Sequence, residues 1–207
     1  MLKWLFALFA SPRPAPVDTV RILPKPEPSG RVALVVGHNP KAQGAIRATD
    51  RRTEYDWCGA LAERIAALDP ARYVIVRRTA GPNEIKRAYA DVERAGVRAS
   101  VELHFNSAAS AAATGTETLI SGSAKSRSLG TLVQAELVKA LGLRDRGLKQ
   151  PGPKDGGYTA LRAASPPAVL IEPYFGSNRS DCAAADRNLP ALAAGIHNAC
   201  LAYLSET

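Results

Sequence analysis

Two histidines and two glutamates stand where their chemistry could combine. His38 follows Gly37 at the end of the apolar run Val32 to Val36, and Glu54 falls in the first turn of a segment with helical periodicity. His104 lies near the end of the stretch from Ser100 to Phe105, and Glu172 follows Val169, Leu170 and Ile171. Two imidazoles and one carboxylate make a three-ligand set with a fourth position open to water, the pattern of a catalytic rather than a structural zinc. Such an ion lowers the pKa of bound water from about 15.7 to about 7, and a second carboxylate beside it could act as base. Each residue also has an ordinary reading. A histidine at a strand end is commonly just a polar edge residue, and Glu54 could simply complement a helix N-terminus, worth up to ~1 kcal/mol. Glu172 resists that treatment, because an ionised carboxylate at the end of an apolar strand is costly to bury without a partner. The chain has only three histidines; the third, His197, falls inside the last helical pattern and reads as structural.

For these side chains to meet, the intervening elements must deliver them to one edge. Val32 to Val36 is short, β-branched and apolar throughout, as a central parallel strand requires. Thr53 can cap a helix carrying Glu54 and Asp56 in its first turn and Trp57, Leu61, Ile65 and Leu68 at helical spacing, before Pro70 stops it. The alternation continues with strands at Tyr73 to Val76, Ser100 to Phe105, Glu117 to Ile120 and Val169 to Ile171, and helices at Asn83 to Arg94, Ser126 to Leu141 and Leu189 to Leu204. This pattern predicts an α/β fold, a single domain with a mostly parallel central sheet and helices on both faces. In such sheets ligands gather at the carboxyl ends of the strands, where His38, Glu54, His104 and Glu172 all map.

Hydrophobic residues make up 46% of the 207 and charged residues 22%, which excludes a disordered or collagenous chain. Cys58, Cys182 and Cys200 form no disulfide framework and no CxxC pair, and read as buried thiols. The net charge of +8 favours an anionic partner. The basic residues are scattered, however, and no helix-turn-helix, zinc-finger or aromatic RNP pattern occurs, so no nucleic-acid partner is expected.

Residues 1–30 read as a separate segment. Lys3 precedes an apolar run from Trp4 to Ala10, far shorter than the roughly 20 residues of a membrane-spanning helix. It fits either a signal or weak membrane-surface anchor, or a short docking segment. Pro12, Pro14, Pro16, Pro24, Pro26 and Pro28 follow as a linker, so the catalytic domain is expected over 31–207.

Five segments then carry a resemblance. Val35-Val36-Gly37-His38, Thr53-Glu54-Tyr55, Glu102-Leu103-His104-Phe105-Asn106 with Gly115-Thr116-Glu117, Arg146-Gly147-Leu148-Lys149, and Pro167 through Pro173 resemble, in order, the motifs of the zinc N-acetylmuramoyl-L-alanine amidases. The resemblance implies that His38, Glu54 and His104 bind one Zn2+, that Glu172 is the catalytic base, and that the substrate is peptidoglycan, cut between N-acetylmuramic acid and L-alanine. Asn106, Arg146 and Lys149 are candidates for gripping the anionic stem peptide, or equally a turn residue and surface charges. Asn39 and Pro40 stand where family members often have glycines, and the loop 150–157 is rich in Gly and Pro. Action is expected at the bacterial cell wall, on its periplasmic side, reached either as a phage lysin (endolysin) or through an N-terminal signal or anchor. Two alternatives stay open: a zinc peptidase or other amide hydrolase acting on another bond, and a non-catalytic wall-binding relative.

Overall fold

The computed structural model describes residues 30–206; the expectations for the apolar start and the proline-rich linker lie outside them. The strands are β1 (Val32–Val36), β2 (Tyr73–Arg77), β3 (Ala99–Leu103), β4 (Thr116–Ile120), β5 (Asp145–Lys149) and β6 (Ala168–Glu172). The helices are α1 (Glu54–Ala66), α2 (Glu84–Arg94), α3 (Ala124–Leu141), α4 (Tyr158–Ala163), α5 (Arg179–Arg187) and α6 (Leu189–Glu206). Among the described residues no helix is long and apolar enough to cross a membrane.

The strands form one sheet in the order β2-β1-β3-β6-β4-β5. β2, β1, β3 and β6 run parallel, β4 and β5 run parallel to each other, and the two groups meet antiparallel between β6 and β4. The reversal has a local cause. β3 is joined to β4 through residues 104–115, which contain no helix, so no βαβ crossover returns the chain to its original direction.

Alternation along the strands separates two packed faces. Val32, Leu34 and Val36 join Val101, Leu103, Val169 and Ile171 on one face, covered by Trp57, Leu61 and Ile65 of α1, Leu129, Val133 and Leu137 of α3, and Leu192 and Ile196 of α6. Ala33, Val35 and Val76 face the other way, against Ala88, Tyr89 and Val92 of α2 and Ala160 of α4. Cys58, Cys182 and Cys200 are buried free thiols, and His197 binds the Tyr73 hydroxyl at 2.7 Å on α6, a structural contact.

Several boundaries differ from the sequence pattern. α3 begins at Ala124, because Ser123 caps it by accepting the Ser126 N–H. β3 ends at Leu103, one residue before His104, whose N–H still reaches the Ile171 carbonyl at 3.1 Å. β5, α4 and α5 have no counterpart in the periodicity at all.

Candidate metal centre and active site

From β1 the chain goes to β2 on one side and then, through α2, to β3 on the other. The crevice between the carboxyl ends of β1 and β3 is therefore a point where the connections diverge, the usual place for a ligand in an α/β sheet. His38 leaves β1 there with φ 63, a left-handed conformation that histidine tolerates better than most residues. Glu54 opens α1 behind the Thr53 cap, whose side chain accepts the Asp56 N–H. The return from His38 to Glu54 is pinned by Arg47, buried and paired with Asp50 at 2.5 Å and with Asp186 of α5 at 2.6 Å.

The carboxylate of Glu54 lies between the two imidazoles. Its Oε2 is 3.1 Å from His38 Nε2, and its Oε1 is 2.7 Å from His104 Nδ1. The backbone N–H groups of Ala45 and Phe105 donate to the same carboxylate, each at 3.2 Å. Burial alone would push the Glu54 carboxyl up, but hydrogen bonds and charge from His104 and His38 outweigh it and bring it down to about 2. One donor atom from each of the three residues lies within 4.8 Å of the others.

The backbone leaves room for this cluster at two glycines. A methyl group on Gly37 would sit 2.4 Å from Cε1 and Nε2 of His104, and one on Gly44, where φ is +77, would sit 2.6 Å from Glu54 Oε2 and His38 Nε2. Two nitrogen donors, one oxygen donor and a cradle cleared of side chains suit a divalent metal ion such as Zn2+. Gly37→Ala is accordingly expected to displace the His104 ring, lowering both zinc content and melting temperature, with an overpacking cost of about 1–3 kcal/mol. Metal analysis and calorimetry of the purified variant check this; full zinc content at wild-type stability would refute the cradle.

Glu172 ends β6 on the same sheet face as His104, with the Cα of Glu117 on β4 as its antiparallel partner. Its Oε2 is enclosed and has no hydrogen-bond partner. Burial raises its carboxyl to about 8, with Glu54 and Glu117 adding to the rise and His104 opposing it. All four residues line one cavity of about 590 Å³, together with Arg78, Asn106, Glu117, Asp155 and Thr159. That is a normal size for a ligand site.

The substrate candidates are placed unequally. Asn106 lines the cavity and donates to Glu117 Oε1 at 2.7 Å. Arg146 pairs with Glu117 Oε2 at 2.6 Å and lies 5.0 Å over the Phe175 ring, outside the cavity lining. Lys149 is exposed at the end of β5, also outside the lining. Sequence reasoning assigned no role to Glu117, Arg78 or Glu102. A charged residue inside an otherwise apolar strand, as Glu102 is, was the available signal.

The profile of the family Amidase_3, N-acetylmuramoyl-L-alanine amidase, matches residues 32–200. The chain belongs to the N-acetylmuramoyl-L-alanine amidase family. No curated protein sequence matches it. The amidase fold is shared with solved structures. The catalytic domain of CwlV, an N-acetylmuramoyl-L-alanine amidase from Bacillus (Paenibacillus) polymyxa var. colistinus, is 24% identical with a TM-score of 0.73, over 86% of this chain and 99% of that one. The N-acetylmuramoyl-L-alanine amidase from Clostridium difficile 630 is 24% identical with a TM-score of 0.72, over 86% and 98%. AmiC2 of Nostoc punctiforme is 22% identical with a TM-score of 0.70, over 84% and 97%. At these identities the likeness of this amidase to the three structures concerns the fold. Its membership of the family makes it an amidase that acts on peptidoglycan, at the cell wall.

Proposed function

We propose that residues 31–207 form a zinc-dependent catalytic unit that hydrolyses the amide between the lactyl group of N-acetylmuramic acid and L-alanine. His38, Glu54 and His104 hold the ion and Glu172 moves the protons. The observation that carries this reading is the enclosed, unpartnered Oε2 of Glu172 in the cavity that also holds the three-donor cluster. When bound there, zinc supplies Lewis acidity to the scissile carbonyl and lowers the pKa of water. Glu172 accepts the proton of the attacking water and later delivers it to the leaving nitrogen of L-alanine. Glu54, brought down to about 2, stays ionised and available as a ligand. Asn106, whose Nδ2 donates to Glu117 and whose Oδ1 accepts the Ser107 backbone N–H, presents a polar wall to the stem peptide, and Arg146 and Lys149 add positive charge farther along β5.

Digestion of purified peptidoglycan tests the reading. The zinc-loaded protein is expected to release peptides with new L-alanine amino termini, and the chelated protein to release none. New termini at any other residue would favour a zinc peptidase, and zinc-loaded protein that binds walls without cutting them would favour a binding relative.

A further inference from the structure

Glu102 is fully buried on β3, two residues before His104 and therefore on the same face of the strand. Its Oε1 lies 2.9 Å from His104 Nε2 and also accepts from Arg78 Nη2, while its Oε2 accepts the Tyr89 hydroxyl at 2.6 Å. Both oxygens are thus occupied, by groups from β3, the segment after β2, and α2. A buried carboxylate–guanidinium pair gains little over apolar side chains of similar volume, since desolvation offsets the attraction. Stability alone therefore gives weak reason for a charged network at this depth. What the network does achieve is asymmetry in the His104 ring: Nδ1 faces Glu54 at 2.7 Å and Nε2 faces Glu102.

We propose that Glu102 is a positioning residue for His104, accepting the Nε2 proton so that the lone pair is left on Nδ1, which becomes the metal-binding nitrogen. Arg78 neutralises the carboxylate and Tyr89 fixes its plane, so the acceptor stays aimed at the ring. Gly37 completes the arrangement, because the ring edge carrying Cε1 and Nε2 lies where a side chain at that position would be. An outer carboxylate of this kind raises the basicity of the ligand and fixes its orientation, and losing one typically costs about 10- to 100-fold in metal affinity.

The inference rests on His104 being a metal ligand, and the experiment separates the two. Zinc affinity is measured by chelator competition, and the visible spectrum is recorded after Co2+ substitution, for wild type, Glu102→Gln and the double variant Glu102→Gln with Arg78→Met. The double variant removes both buried charges, which guards against a loss that reflects only an unpaired guanidinium. Both variants are expected to bind zinc about 10- to 100-fold more weakly with an altered Co2+ spectrum, the double variant recovering metal-free melting temperature. Wild-type affinity and an unchanged spectrum in both variants, beside a wild type that binds zinc, would overturn the role of Glu102 and leave the site intact. A wild type that binds no zinc would overturn the site itself, and this inference with it.

Discussion

Glu172→Gln is expected to keep fold and zinc while lowering turnover on peptidoglycan by about 10²- to 10⁴-fold, the usual contribution of a general acid–base. The amide nearly matches the carboxylate in size but cannot take the proton of water. Rate is measured per folded, zinc-loaded molecule, so that loss of metal or of fold cannot imitate loss of the base. Wild-type turnover on that basis would remove Glu172 from the mechanism. The same variant carries a stability signature. With its carboxyl raised to about 8 in the fold against about 4.3 in an unfolded chain, native Glu172 retains a proton that the unfolded state has lost. Stability of the metal-free wild type therefore falls as pH rises from about 4.3 to about 8 and levels off above, where both states are ionised. Gln does not titrate. The metal-free variant should melt higher than metal-free wild type by a margin that opens across that window, each kcal/mol appearing as about 2–4 °C. A margin independent of pH would show that Glu172 holds its proton no more tightly in the fold than in the open chain.

Replacing any of His38, Glu54 or His104 with Ala should abolish zinc-dependent stabilisation. A ligand that binds only the native state adds about 2.7 kcal/mol at 100 times its dissociation constant, roughly 5–10 °C in a chain of this size. His38→Ala is the most direct case, because that side chain is 31% exposed and its removal opens little of the core. Glu54 and His104 are buried, so their variants should also lose metal-free stability. Calorimetry with and without zinc separates the two effects. A variant that still binds one equivalent of zinc at wild-type affinity would strike that residue from the ligand set.

How far the sequence anticipated this arrangement depended on how local each signal was. β1 is an apolar run, β6 is apolar up to Glu172, and β3 is interrupted only by Ser100 and Glu102; with Thr53 capping α1 from its immediate neighbours, His38, Glu54, His104 and Glu172 could be placed without knowing the sheet. β5 could not. Its sequence Asp-Arg-Gly-Leu-Lys is half exposed at the sheet edge and is held by pairing with β4 and by contact with α3, which is tertiary information. α4 is six residues after a Gly- and Pro-rich loop, too short for periodicity to register. The direction of β4 was equally hidden, since the residue pattern of a strand does not say which way it runs against its neighbours. Glu102 was visible as an anomaly, but its partners Arg78 and Tyr89 come from other elements, and only the fold names them.

The place of β6 in the sheet bears on how the protein comes to be active. β6 lies between β3 and β4, which precede it in the chain. Neither of those strands has its inner neighbour until residues 168–172 are threaded between them. The three candidate donors lie at or before the midpoint of the chain, whereas the proposed base, Glu172, lies on the strand that fills the gap. Long-range pairing of this kind closes late, because the entropy of the large loop must be overcome first. On the proposed roles, a chain truncated before Ala168 keeps the residues that would hold the metal but lacks the base, and is expected to leave the wall uncut.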